Sequence, residues 1–146
     1  MTDDPIVRLG KMCRNWTMQS NPWTNVYGLA RTLLAMGTGA TLLFSRSTTL
    51  FRPAWGVPEV PICRGVSRVG LFCVASHHLE IARWIGIIVL LVVASGWRPR
   101  FTGPLHCWVS FSLATSAVMV DGGDQVSQVL TLLLLPVTLT DSRTWH

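Results

Sequence analysis

The stretch IARWIGIIVLLVVASGW, residues 81–97, carries a single charge, Arg83, close to its start. As a helix it rises about 25 Å at 1.5 Å per residue, nearly the ~30 Å of a bilayer's hydrocarbon layer. Working outward, three more apolar windows flank it. Upstream, VYGLARTLLAMGTGATLLF at 26–44 has Arg31 as its one charge. Downstream, LHCWVSFSLATSAVMV at 105–120 and VSQVLTLLLLPVTL at 126–139 have no full charge. Each window is short for a span, a deficit that bilayer thinning and snorkelling flanks can absorb. Small residues let helix backbones approach one another in lipid, and they gather in two of the windows: Ala35, Gly37, Gly39 and Ala40, then Ser110, Ser112, Ala114 and Ser116. The pattern predicts an all-α integral membrane protein, a bundle of about four transmembrane helices.

Composition agrees with the windows. Only 13% of the residues are charged and 49% are hydrophobic, whereas a soluble chain carries about a quarter charged residues. Net charge is +5 over 146 residues. A basic chain raises the prospect of nucleic-acid binding, but that requires basic residues clustered on one face. Here the arginines punctuate apolar runs, as charges do when they mark the ends of spans, so no nucleic-acid partner is expected; the lipid bilayer is. Disordered and disulfide-framework classes are excluded by the hydrophobic content and by a cysteine count of 4. Trp23, Trp84, Trp97, Trp108 and Trp145 lie near window ends, where an indole prefers the headgroup region.

Orientation follows from the short basic segments. Residues 1–25 hold Arg8, Lys11 and Arg14, the turn after the second window holds Arg98 and Arg100, and the end holds Arg143. Four spans place all three on one side, which the positive-inside tendency makes cytoplasmic. The short turn Asp121-Gly-Gly-Asp124 then falls outside, as does the long loop 45–80. That loop contains Arg46, Arg52, Arg64 and Arg68, which opposes the assignment, although long loops follow the tendency less closely. The expected location is the bacterial cytoplasmic membrane, multi-pass, with a cytoplasmic N-terminal segment at 1–25 and a transmembrane domain at 26–146.

Several strings, taken in order, carry a resemblance: Asn25-Val-Tyr-Gly-Leu-Ala-Arg31, Ala82-Arg83-Trp84, Ser95-Gly-Trp-Arg-Pro99, Asp121-Gly-Gly-Asp-Gln125, Leu135-Pro136, Leu139-Thr-Asp-Ser-Arg143 and Trp145-His146. Over about 25–146 the chain resembles the sporulation-delaying protein B family of bacterial membrane proteins. That family is itself similar to the group sharing the horizontally transferred transmembrane domain, to which vitamin K-dependent gamma-carboxylases belong. The resemblance implies work in the production of a secreted antimicrobial peptide, a bacteriocin-type toxin, with the toxin precursor and a small partner protein as partners. It implies no particular chemistry, and the carboxylases' extra domain has no room here. Members of the family continue past Trp145-His146 into further helices, so the resemblance implies a fragment of a longer bundle.

Individual residues define the candidate sites. An ionisable side chain within a span defaults to a functional role, with a partner inside the bundle. For Arg31 that partner is Asp141; the alternative is a side chain that snorkels to the cytoplasmic headgroups. Asp121 and Asp124 put two carboxylates into a glycine turn, which is either a tight hairpin or an outward anionic site for a peptide amine or a cation. Arg143 and His146 complete the candidate functional residues, and His106 is expected at the cytoplasmic start of its span. Cys63 and Cys73 lie in the external loop, where a disulfide is permitted; free thiols are the alternative. His77, His78 and Glu80 fall on the same side, but adjacent histidines cannot share a helical face, so no metal is expected. No catalytic residue can be named, and no cofactor is expected beyond a quinone-like lipid. Beside peptide maturation, two readings stay open: a membrane enzyme modifying a peptide or quinol, and a toxin export or immunity component.

Overall fold

The computed structural model describes residues 25–53, 61–118 and 122–145. They form helices joined by short turns and irregular links, and no strand occurs among them. Four long helices dominate: α1 (Asn25–Phe44), α4 (Leu79–Ala94), α5 (Pro99–Ser116) and α6 (Gly122–Thr140). Two single turns, α2 (Ser47–Leu50) and α3 (Leu71–Val74), lie between α1 and α4, together with 3-10 turns at Gly65–Val69 and Ser76–His78. The long helices close a ring in which α1 packs on α4, α4 on α5, α5 on α6 and α6 on α1.

The ring is antiparallel, and hydrogen bonds at its two ends fix the register. Thr32 donates to the carbonyl of Ala94 at 3.3 Å near one end of the α1–α4 pair. At the other end Arg83 donates to the carbonyls of Leu42 and Ser45, both at 3.2 Å. A cation on the last carbonyls of α1 satisfies groups that have no partner within the helix. The turn into α5 is tight. Gly96 has φ 73° and Arg98 φ 36°, a left-handed pair in which the arginine carries a steric cost of roughly 1–2 kcal/mol. The Arg98 amide donates to the Thr144 carbonyl at 2.9 Å, which ties this turn to the end of the described chain. Pro99 then opens α5, where a residue without an N–H leaves no donor unsatisfied.

The described residues after α1, 45–53 and 61–78, anticipated as loop, fold onto the end of the ring where α1 ends and α4 begins. The Phe72 amide donates to Ser112 Oγ at 3.1 Å, and the Ile62 amide to the Ser116 carbonyl at 3.2 Å. Phe51 and Phe72 pack with ring centroids 5.0 Å apart. Beneath them an apolar core of Leu42, Leu71, Ala82, Leu90, Val93, Val109 and Leu113 fills the space among α1, α4 and α5.

A bundle of about four short transmembrane helices was expected; among the described residues four long helices pack together, and one helical segment, Ser76–Ala94, is long and apolar enough to cross a membrane by itself. The reason lies in where the polar residues of the other helices sit. Arg31, Thr38, Thr102, His106, Ser110, Asp124, Ser127, Thr131 and Thr138 are all buried, while Leu29, Leu33, Met36, Ile88, Leu91, Val129, Leu132 and Leu133 are exposed. Inward polar residues lower each helix's average hydropathy and leave its outer face apolar. That is the reverse of a soluble bundle, whose apolar stripe faces the core.

Candidate functional site

The inward face of α6 is polar at both ends, with Leu134 and Leu135 between Thr131 and Thr138. Asp124, Ser127, Thr131 and Thr138, with Asp141 just beyond the helix, recur at intervals of three, four or seven and so share one face. The facing stripe of α5 is Thr102, His106 and Ser110 at i, i+4 spacing, and that of α1 is Tyr27, Arg31 and Thr38. The three stripes meet in a seam enclosed by α1, α5 and α6, beside the apolar core.

At one end of the seam sits its charged cluster. Arg31 is 1% exposed, and its Nη2 donates to Thr102 Oγ1 at 2.7 Å. Thr102 Oγ1 also lies 3.0 Å from the Trp97 carbonyl and 3.2 Å from that of Arg98, so the guanidinium is tied to the start of α5. Tyr27, Asp141 and His106 lie within its electrostatic reach. Asp141 is 1% exposed and accepts from Arg143 three times, from Nε at 3.1 Å, from Nη2 at 3.0 Å and from the backbone amide at 3.0 Å. The two side-chain bonds form the planar fork that arginine makes with a carboxylate. This hydrogen bond, and then the Asp141 charge, push the Arg143 pKa above its ordinary value.

Close packing holds α5 to α6 at this level. A Cβ added at Gly103 would lie 2.5 Å from Thr138 Oγ1 and 2.6 Å from Thr138 Cβ, so the two backbones approach as far as a residue without a side chain permits. Further along, His106 Nε2 and Ser110 Oγ are buried and find no hydrogen-bond partner among the described residues.

The far end of the seam opens. Thr38 Oγ1 and Ser127 Oγ share a hydrogen bond at 3.0 Å, and Thr41 Oγ1 donates to Asp124 Oδ1 at 3.3 Å. Between α1 and α6 these groups border a cavity of about 260 Å3, with Leu33, Leu34, Gly37 and Gly123 in its wall.

A polar seam inside an apolar exterior can be set beside the relatives of this sequence. The chain is 43% identical over 129 residues to the sporulation-delaying protein SdpB of Bacillus subtilis (strain 168). The chain is a homologue of SdpB. It is also 46% identical over 131 residues to the uncharacterized protein YitO of the same strain. The aligned parts cover 88% and 86% of this chain but 42% and 39% of YitO and SdpB, so the chain spans about two fifths of the relatives it matches. No family model and no solved structure matches it.

In this SdpB homologue the anticipated site residues fall into separate places. Arg31, Asp141 and Arg143 share the charged end of the seam, and the Arg31 guanidinium is buried within the ring. Asp124 stands at the opposite end, while Asp121 and His146 lie outside the described residues. His106, expected at the start of its span, lies two turns into α5, because the helix begins at Pro99. Cys63 and Cys73 are joined as a disulfide with Cα atoms 5.6 Å apart. His77 and His78 border a shallow depression with Ser47 and Glu80, and no group of three metal-ligating side chains occurs among the described residues.

Two features had no counterpart in the expectations. Thr102, Thr131 and Thr138 complete the seam; the available signal was the spacing of Thr131 and Thr138 from Asp124 and Asp141, and of Thr102 from His106. Glu80 accepts from Ser47 Oγ at 2.5 Å and pairs with Arg83 at 3.0 Å, which clamps α2 to the start of α4. Nothing in a window's average hydropathy reports such a clamp.

Proposed function

We propose that this chain is a multi-pass protein of the bacterial cytoplasmic membrane that takes part in maturing a sporulation-delaying-type peptide toxin. The observation that carries it is the inverted distribution of polarity in a chain homologous to SdpB. In water, the exposed Leu, Ile and Val side chains of α1, α4 and α6 would each forgo roughly 1.5–3 kcal/mol of burial, and the polar seam would gain nothing from being enclosed. In a bilayer both signs reverse, because lipid accommodates the exterior and the ring shields polar groups that hydrocarbon cannot solvate.

All four long helices then lie in the membrane, with the charged cluster of Arg31, Asp141 and Arg143 at the cytoplasmic end. The disulfide supports this orientation, since Cys63–Cys73 sits at the opposite end and disulfides persist on the oxidising side of the membrane. The toxin precursor and a small partner protein are the expected partners. Deletion of the gene tests the function. Precursor should still be made while active peptide is lost from the medium, and restoring the gene should restore it. Unchanged active toxin after deletion would refute the role.

A further inference from the structure

Residues 62–74 form a hairpin that descends along α5 and returns. At its mouth the Ile62 amide donates to the Ser116 carbonyl at 3.2 Å, Cys73 Sγ lies 3.6 Å from Ser116 Oγ, and the Cys63–Cys73 disulfide joins the two limbs. At its tip a Cβ added at Gly70 would lie 2.8 Å from Ser112 Oγ, and the Val69 carbonyl accepts from Trp108 Nε1 at 2.9 Å. Ser112 and Trp108 precede Ser116 by four and eight residues on α5, which is about 6 and 12 Å along the helix axis. With α5 in the membrane as proposed, the tip lies inside the outer leaflet.

Two properties of the hairpin suit lipid rather than water. Its carbonyls receive donors from the protein itself: those of Ile62 and Arg64 accept from Ser67 Oγ, that of Cys63 from Arg68 Nε, those of Ser67 and Gly70 from backbone amides, and that of Val69 from Trp108. Water satisfies such groups readily, whereas non-helical backbone at membrane depth depends on protein partners. The second property is an apolar exterior. Val66, Val69 and Val74 are 72, 63 and 73% exposed, and Val66 and Val69 share one side of the 3-10 turn, in which residues three apart eclipse. Loose packing does not account for this exposure, since Ser67 and Phe72 in the same hairpin are buried.

Among the valines stand two exposed arginines, Arg64 and Arg68. The Arg68 side chain turns back from the tip toward the mouth, where its Nε donates to the Cys63 carbonyl at 3.4 Å, beside the backbone of Arg64. An arginine in apolar surroundings lays its stem along hydrocarbon and lifts its charge to the headgroups in this way. Among the described residues neither arginine forms an ion pair with a carboxylate, and the planar donor fork of a guanidinium matches the oxygens of a phosphate. We propose that this disulfide-closed hairpin is seated in the outer leaflet and that Arg64 and Arg68 hold the phosphate of an anionic phospholipid there. A headgroup without a cation of its own is favoured over a zwitterionic one, because the hairpin already supplies the positive charge. The inference rests on the membrane location proposed above and not on the toxin role. It also gives a place to two of the four arginines whose position outside opposes the positive-inside tendency.

The test uses the full chain in phosphatidylcholine nanodiscs. Spin labels are placed on Val69→Cys and, for comparison, on Leu91→Cys of α4, which is 65% exposed, in a Cys13→Ser, Cys107→Ser background that keeps the disulfide. Collisions with oxygen, which concentrates in hydrocarbon, are compared with collisions with a water-soluble nickel chelate. Both labels should favour oxygen. Leu91 in lipid with Val69 in water would overturn the seat of the hairpin alone, whereas both in water would overturn the membrane location as well. Replacing part of the phosphatidylcholine by phosphatidylglycerol should raise the unfolding temperature to a plateau. Arg64→Gln and Arg68→Gln should each increase the phosphatidylglycerol fraction needed for half of that rise at least about tenfold, the loss expected with a charge-assisted hydrogen bond. Both positions are exposed, so the variants should unfold at the normal temperature in phosphatidylcholine alone. Arg52→Gln, exposed at the same end of the ring but off the hairpin, should leave the requirement almost unchanged. An equal effect from Arg52→Gln would reduce the site to general surface charge, and an equal rise from inorganic phosphate in phosphatidylcholine discs would overturn the lipid as its source.

Discussion

Replacing Gly103 by alanine isolates the close approach of α5 and α6. The new Cβ would meet Thr138 Cβ at 2.6 Å and Thr138 Cγ2 at 2.9 Å, against the ~3.5–4.0 Å at which carbon atoms rest. Thr138 Cβ is fixed to its backbone, so no rotamer change removes the contact and the helices must part by about 1 Å. Overpacking of this kind costs about 1–3 kcal/mol, offset in part by the roughly 0.5–1 kcal/mol that alanine gains over glycine in a helix. Gly37→Ala is the matched control, since its Cβ meets nothing within 4 Å and it keeps the helix gain alone. The difference between the two variants is therefore the clash itself, about 1–3 kcal/mol with Gly103→Ala the less stable. Gly86→Ala should fall between them, because its closest contact is the flexible tip of Leu42 at 3.1 Å. Unfolding of the purified proteins in mixed micelles by a denaturing detergent, followed by far-UV circular dichroism, gives the ranking. If Gly103→Ala and Gly37→Ala unfold within about 0.5 kcal/mol of each other, the packing of α5 on α6 derived above is wrong.

Arg31→Ala removes a buried cation and should destabilise by about 3–5 kcal/mol, lowering the amount of protein in the membrane. Arg31→Lys keeps the charge but shortens and reshapes the donor that reaches Thr102 Oγ1, and should accumulate normally yet lower toxin output; full output would leave Arg31 without a functional role. Blocking free thiols before reduction should leave Cys63 and Cys73 unlabelled, and Cys73→Ser should cost about 2–3 kcal/mol in the chain-entropy account of a short loop. In a background without the native cysteines, a membrane-impermeant thiol reagent should label Gly122→Cys in intact cells and Ser142→Cys only after the cells are opened. The reverse pattern would invert the orientation.

The helical class was legible because hydropathy windows respond to the residues that face outward, and in α1, α4 and α6 those are Leu, Ile, Val and Met. Boundaries were less legible where polar residues begin a helix. The window at 105–120 misses the first turn and a half of α5, since Arg100, Thr102, Gly103 and Pro104 depress its average although Pro99 starts the helix. The seam went unread for a related reason: averaging erases period, and Ser127, Thr131 and Thr138 matter only through their shared face with Asp124 and Asp141. The contact between Arg31 and Thr102 joins residues separated by 71 positions, a distance across which no local pattern carries information. Asp141 was singled out beside Arg31, and the two share one end of the seam; the fork from Arg143, two residues further along the backbone, was not anticipated.

The scarcity of strongly apolar helices bears on how the molecule is made. An arginine costs an isolated helix up to about 2.5–3.5 kcal/mol of insertion at its centre and less towards its ends, so if α1 crosses the membrane as proposed, Arg31, in its second turn, makes it a reluctant passenger when it leaves the ribosome. Its shielding partners on α5 and α6 are synthesised later, and among the described residues only Ser76–Ala94 is long and apolar enough to enter lipid unaided. In a bilayer, α1 must wait beside the insertion machinery until α4 has anchored the chain and the α5–α6 pair arrives to cover its polar face. Biogenesis is then a group event, and a ribosome stalled before α6 leaves a nascent chain exposed to membrane quality control rather than a partial bundle.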